Sequence, residues 1–278
     1  MATASPTVVV AADNAYAVPL NACVASIVEH CPGVDLRVLD CGLTDADRRS
    51  IQETVGTCGA ASFVTVPITQ LAGLPEADCG SLATYARLLL DSVVESGRAL
   101  YLDADTIVMS PLQPLFQIDL KGAVAAAARE MYTPVVSAEN GIYCWRELSF
   151  EADDPYFNAG VMLVDIDEWR RRSIQARSLH YLRTTGATTL FDQEALNVAM
   201  HGAWLELAAT WNVTRYWFTS ARRVGAHANI LDEARIIHFI SADKPWLGSD
   251  IVPAVLSRKF FAALDRSSLA GWRPENGR

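Results

Sequence analysis

Apolar residues occur along the first hundred positions in short runs separated by polar turns. Residues 7–13 (TVVVAAD) form an unbroken apolar run closing on a carboxylate, the pattern of a strand buried on both faces. A helix follows through Leu20–Glu29, then a second strand over 34–42 (VDLRVLDCG). Thr44 with Asp47 three positions on has the spacing of a capping box, opening a helix that runs to about Thr57. A third strand is expected over 61–68. An amphipathic helix is expected over 81–97 with Gly97 as its stop, and a fourth strand over 98–105 (RALYLDAD). Strands that alternate with helices must pair in parallel, because parallel neighbours need a crossover between them.

The second half is less regular. Strands are expected over 123–130, 158–166 and 235–240, and helices over 167–186 and 192–202. The helix from Asp167 begins on acidic residues, the order a helix dipole favours. No repeat or linker interrupts the 278 residues, which read as one domain. Within it, three stretches follow one another, about 7–110, 111–247, and a C-terminal helix and tail 248–278. The fold class is α/β, a Rossmann-like, mostly parallel central sheet with helices on both faces. In such sheets ligands sit beyond the carboxyl ends of the strands, where Asp13 and the pair Asp103/Asp105 fall.

Composition narrows the function classes. At 51% hydrophobic and 20% charged the chain is an ordinary globular protein. A formal net charge of −9 argues against a nucleic-acid partner, which needs a basic field. Positive charge is mostly arginine, with lysine only at 121, 244 and 259. Six dispersed cysteines form no ligand-like cluster. The N-terminus lacks the pattern of a signal peptide, and no run approaches the roughly 18–20 apolar residues that span a bilayer. A cytoplasmic protein with reduced thiols and no membrane segment is the expectation.

The chemistry concentrates in RALYLDADTIVMSPLQPLF, residues 98–116. Two carboxylates at i and i+2 of an extended segment share a face, roughly 6–7 Å apart at Cα. Ionised carboxylates in apolar company are costly to desolvate, so a cation must meet them. An all-oxygen pair favours Mn²⁺ or Mg²⁺ completed by substrate phosphates. The ordinary alternative is that Asp103 and Asp105 cap a turn. A second alternative is a haloacid-dehalogenase-like phosphatase with Asp103 as nucleophile, although Thr106 follows Asp105 without that motif's spacer and three strand-helix units precede it.

Six ordered blocks resemble family 8 of the retaining glycosyltransferases, the GT-A-fold enzymes that include lipooligosaccharide galactosyltransferases, glycogenin and galactinol synthases. They are VVVAADNAY (8–16), TYARLLL (84–90), LYLDADTIVMSPLQPLF (100–116), YFNAGVMLVDIDEWRR (156–171), FDQEALN (191–197) and IIHFISADKPW (236–246). The resemblance implies a metal-dependent transferase moving a hexose, glucose or galactose, from a UDP-sugar to a soluble acceptor, either a small molecule or a polypeptide. A self-glycosylating or nucleotide-sugar-binding protein is the remaining alternative.

The resemblance also assigns roles, a nucleotide-binding half to about 7–110 and a sugar and acceptor half to about 111–247. Asp103, Asp105 and His238 would ligate the metal, with Ala104 between the two acids at the nucleotide. Lys244 would neutralise the diphosphate, and Ser241 stands where those enzymes have a glycine beside it. Ala11, Ala12 and Asp13 would hold uracil and ribose, with Asn14 or Tyr16 contributing. Arg87 would reach the donor sugar or phosphate. Asn158 and Ala159 would line the sugar pocket, and Asp192 and Gln193, the catalytic candidates, would bind hydroxyls near the anomeric carbon; retention would come either from one of these two as a covalent nucleophile or from entry of the acceptor on the leaving group's face. Four of them have an ordinary alternative: a solvated lysine at 244, a structural histidine at 238, a surface ion pair at Arg87, a helix N-cap at Asp192. Arg129 and Glu130 replace an aspartate that those galactosyltransferases carry near the sugar, and Cys79 and residues 130–154 look unlike their acceptor regions.

Overall fold

The computed structural model describes residues 5–75, 83–185, 190–219 and 230–275. The expected position Cys79, the first residues of the 81–97 helix and Gly186 lie outside these.

Seven strands form the central sheet: β1 (Thr7–Ala12), β2 (Val34–Asp40), β3 (Gly59–Thr65), β4 (Arg98–Asp103), β6 (Ala125–Arg129), β7 (Phe157–Asp165) and β8 (Trp204–Leu207). Their order is β3-β2-β1-β4-β7-β6-β8. The first four are mutually parallel, as the alternation of strand and helix requires. β7 runs antiparallel to both of its neighbours, and β8 pairs in parallel with β6. A small second sheet places β10 (Ile236–His238) between β5 (Thr106–Val108) and β9 (Val213–Thr214).

Strand alternation sorts the core into two layers. Val8, Val10, Leu100, Leu102, Val161 and Leu163 face helix α1 (Ala17–His30) on one side of the sheet. Val9, Ala11, Tyr101, Ala127, Ala159 and Met162 face the other, covered by the helices Ile174–Thr185 and Phe191–Ala199. The capping box is present in both directions at helix α2 (Asp45–Val55). Asp47 N–H donates to Thr44 Oγ1 at 3.2 Å and Thr44 N–H to Asp47 Oδ2 at 2.8 Å. Such a cap stabilises a helix by about 1 kcal/mol.

The amphipathic segment expected as one helix over 81–97 is broken. A 3₁₀ turn, Arg87–Leu89, separates the short helices Ala83–Ala86 and Leu90–Val93, and Gly97 (φ +79°) lies beyond them in the turn into β4. The helix expected over 167–186 is likewise two, Ile166–Arg171 and Ile174–Thr185, parted at Ser173 with φ +54°. The fourth strand stops at Asp103, not at Asp105, because the chain turns through residues 104–105 to enter the second sheet. That turn carries Asp105 to β10. Thr106 pairs with His238, and Phe239 N–H donates to the Asp105 carbonyl at 2.9 Å. Among the described residues no helix is long and apolar enough to cross a membrane.

Candidate active site

The site lies at the carboxyl ends of β1 and β4, where Ala11 pairs with Asp103. Two adjoining cavities open there. The smaller, about 120 Å³, is lined by Ala11, Ala12, Tyr16, Arg87, Asp103, Ala104 and Asp105 among others. The larger, about 560 Å³, shares Tyr16, Arg87 and both acids and continues to Glu130, Asn158, Asp192, Gln193, His238, Ser241 and Lys244.

Asp103, Asp105 and His238 converge, each offering a ligand atom within 4.8 Å of the others. His238 Nε2 is 3.2 Å from Asp105 Oδ1 and 3.5 Å from Asp103 Oδ2. Two carboxylates and an imidazole form a donor set that suits a divalent cation. The backbone leaves room for the group. A Cβ on Gly160 would sit 2.2 Å from His238 Cε1 and 2.6 Å from Asp103 Oδ2, so only a bare glycine passes beneath these two ligands. On the imidazole's far side, Nδ1 is 3.0 Å from Asn212 Oδ1.

Lys244 is buried and not a solvated lysine. Its Nζ donates to Asp105 Oδ2 at 2.6 Å and to the Phe239 carbonyl, and it lies over the rings of Tyr16 and Trp246. Burial alone would raise the Asp105 pKa, but the Lys244 ammonium and His238 outweigh it and hold the carboxyl below the usual range.

Arg87 is a buried bridge, not a surface pair. Its Nη2 lies 2.9 Å from Asp103 Oδ1, its Nε 2.8 Å from Asp192 Oδ2, and its guanidinium over the Tyr101 ring. Burial opposes that charge, yet Asp103 and Asp192 together raise the Arg87 pKa. Tyr101 OH donates to Asp103 Oδ1 at 2.8 Å. Burial pushes the Asp192 carboxyl above its ordinary value, against Arg87 and Thr84, whose Oγ1 donates to it at 2.8 Å. Asp192 is not an N-cap: Leu190 holds that position and Asp192 stands in the first turn.

Three of the expected residues stand apart from the cavity linings. Ala159 does not line the cleft, because neighbours on a strand face opposite sides and its methyl belongs to the core layer. Its N–H instead donates to Gln193 Oε1 at 3.0 Å and holds that amide in place. Asn14 is exposed and donates to Asp47 Oδ2 at 3.0 Å, which ties it to the helix cap and away from both cavities. Asp13 also falls outside the lining of both, so Tyr16 is the residue after β1 that borders them. Ser241 does line the larger cavity. Its φ of +81° is the backbone setting that a glycine would occupy without strain, and its Oγ accepts from Arg215 Nη1 at 3.0 Å.

Several neighbours of the site carried no signal of their own in the sequence. They include Gly160, Asn212, Thr84 and the stacked pair Tyr132 and Tyr216, whose ring centroids are 5.2 Å apart in the larger cavity's wall. Glu130 faces that cavity, whereas Arg129 leaves it to pair with Glu206. The described cysteines, at 23, 31, 41, 58 and 144, are free thiols.

The family described as Glycosyl transferase family 8 matches residues 7–250. The chain is 28% identical over 243 residues to glycosyltransferase GlyF of Streptococcus pneumoniae, covering 86% of this chain and 56% of GlyF. It is 29% identical over 212 residues to lipopolysaccharide 1,2-glucosyltransferase of Escherichia coli, covering 74% of this chain and 60% of that protein. The chain thus spans little more than half the length of these two relatives. Among solved structures, galactosyltransferase LgtC in complex with donor and acceptor sugar analogs superimposes with a TM-score of 0.78 at 25% identity, covering 97% of this chain and 98% of LgtC.

Proposed function

The chain belongs to glycosyl transferase family 8 and has its GT-A fold, and on that premise we propose that it transfers a hexose from a UDP-sugar, with retention of anomeric configuration and with Mn²⁺ as cofactor. The observation that carries this reading is the convergence of Asp103, Asp105 and His238 beside Lys244 at the wall of the larger cavity. A glucosyltransferase relative and a galactosyltransferase structure support a glucose- or galactose-type donor. The acceptor is soluble, a small molecule or a polypeptide.

Roles follow from position. Ala11, Ala12, Tyr16 and Ala104 bound the smaller cavity and take the uracil and ribose. Asp103, Asp105 and His238 hold the cation, which when bound offsets the negative charge that grows on the departing diphosphate. Lys244 adds a fixed positive charge at the same place, already desolvated and so effective at short range. Asn158, Asp192 and Gln193 border the sugar, with Arg87 keeping the Asp192 carboxylate in position. Gln193 is an amide and a poor nucleophile, and its oxygen is engaged by Ala159 N–H, while both oxygens of the Asp192 carboxyl are taken up by Arg87 and Thr84. Retention is therefore assigned to attack by the acceptor on the face that the diphosphate leaves, without a covalent sugar-enzyme intermediate.

The phosphatase alternative needs the Asp103 carboxylate free for attack. Tyr101, Arg87 and His238 instead surround it, which disfavours that chemistry. The test is hydrolysis of a panel of UDP-sugars with Mn²⁺, alone and with EDTA. EDTA-sensitive release of UDP from UDP-glucose or UDP-galactose supports the reading. Hydrolysis of a phosphomonoester but of no UDP-sugar would replace it.

A further inference from the structure

A chain of side-chain hydrogen bonds leads from the cation site back into the sugar side of the cleft. His238 Nδ1 is 3.0 Å from Asn212 Oδ1, and Asn212 Nδ2 donates to Asn158 Oδ1 at 2.8 Å. Asn158 Nδ2 then donates to Glu130 Oε2 at 2.6 Å. All four residues are buried. Amides can be turned end for end and an imidazole can carry its proton on either nitrogen, so the direction of such a chain has to be fixed by its ends.

Here both fixed points are unambiguous. Glu130, as a carboxylate, only accepts, and its other oxygen takes the Tyr132 N–H at 3.1 Å. Gly160 N–H only donates, and it gives to Asn158 Oδ1 at 2.9 Å. Asn158 must therefore turn its NH₂ to Glu130 and its oxygen to Gly160. That oxygen also demands a donor from Asn212, which must turn its NH₂ toward Asn158 and its oxygen toward His238. The imidazole is left to donate from Nδ1, which leaves Nε2, on the side of Asp103 and Asp105, as the nitrogen that can ligate a cation held between those acids. Reversing any one link would set two donors or two acceptors against each other in a buried place, at a cost of about 1–3 kcal/mol.

We propose that Glu130, through Asn158 and Asn212, is a positioning residue that fixes the tautomer of His238 and so prepares Nε2 as a metal ligand. This rests on the cation reading above and adds to it a residue that touches none of the three ligands. A glutamine at 130 has nearly the same shape but sets an NH₂ against either the Tyr132 N–H or the Asn158 NH₂, so one end of the chain is strained and its direction rests on Gly160 N–H alone. An Asn212→Leu substitution removes the Nδ1 acceptor outright. Partners of this kind on a ligating histidine are typically worth about 10–100-fold in metal affinity.

The experiment is a Mn²⁺ titration followed by electron paramagnetic resonance, with thermal melting in EDTA as its companion, on the unsubstituted protein, Glu130→Gln and Asn212→Leu. The expected result is one saturable Mn²⁺ site in the unsubstituted protein, weakened about 10-fold or more in both variants, with melting in EDTA shifted much less than melting in Mn²⁺. Unchanged Mn²⁺ affinity in both folded variants would overturn the relay while leaving the cation site intact. An equal loss of melting temperature with and without Mn²⁺ would reduce the chain to a packing role and also overturn it. Absence of saturable Mn²⁺ binding in the unsubstituted protein would instead overturn the cation reading beneath it.

Discussion

Lys244 Nζ lies 2.6 Å from Asp105 Oδ2 across 139 residues of chain, a buried ion pair between the turn after β4 and the segment after β10. The pairing of β5 with β10 is what brings the two together. Breaking a buried pair from one side leaves the other charge stranded. Lys244→Met is therefore expected to cost up to about 3 kcal/mol of stability in EDTA. Mn²⁺ with UDP recovers part of it by supplying Asp105 with another cation. Denaturant melts with and without Mn²⁺ and UDP measure this, and equal losses in both conditions would count against a cation beside Asp105.

Gly160 is a test by addition. Its alanine variant places a methyl 2.2 Å from His238 Cε1 and 2.6 Å from Asp103 Oδ2, so both ligands must shift. Turnover should fall on the order of 100-fold, as expected for misplacement of about 1 Å, and Mn²⁺ affinity should fall with it. Steady-state kinetics at saturating UDP-sugar, across a Mn²⁺ series, would reveal the drop; normal kcat in Gly160→Ala would mean that these side chains do not do the work.

Arg87 offers a comparison of two cations. It spans Asp103 and Asp192 with separate nitrogens at 2.9 and 2.8 Å. A lysine carries the charge but is a single point and cannot span both. Arg87→Lys should keep the fold and lose most turnover. Arg87→Met should also lose about 3 kcal/mol, because two buried carboxylates are left without their shared partner. A lysine variant with full activity, read by UDP release, would remove Arg87 from the site's machinery.

The pH dependence of stability is expected to carry a contribution from Asp40. Burial alone would raise its pKa, but N–H groups of Gly42 and Leu43 and the Arg48 guanidinium lower it below the ordinary carboxylate value. A carboxyl depressed in the folded state stabilises above its unfolded pKa, and that contribution disappears as pH falls through the folded one. Arg48 is more than a third exposed, so its share is screened and the total is about 1–2 kcal/mol. Asp40→Asn should lose that amount near neutrality and very little in acid. Urea melts at neutral and acidic pH decide it; an equal deficit at both would refute the linkage.

The part of this architecture that sequence discloses is the part governed by local period. Apolar runs marked β1 and β4, an alternating one marked β2, and Thr44 with Asp47 marked the start of α2, because a buried strand and a capping box each need only neighbouring residues. Arg87–Leu89 shows the limit, since amphipathic spacing does not separate a 3₁₀ turn from an α-helical one. β9 is two residues long and exists only because β10 offers it an edge. At the site, Asp103 and Asp105 were legible as a carboxylate pair at a strand end, and His238 and Lys244 only through the family resemblance. Gly160 and Asn212 were not, because what matters about them is what lies beside them: a glycine seen alone does not announce an imidazole 2.2 Å from its absent Cβ. Ala159 adjoins Asn158 on one strand, so its methyl faces the core layer while the Asn158 side chain borders the cavity.

The most direct measurement is anomalous diffraction at the manganese edge from crystals grown with Mn²⁺ and UDP. The account predicts a single strong peak within bonding distance of Asp103, Asp105 and His238, with the diphosphate completing its shell and Lys244 alongside. UDP bound elsewhere, or bound here with no manganese between these three side chains, would contradict it.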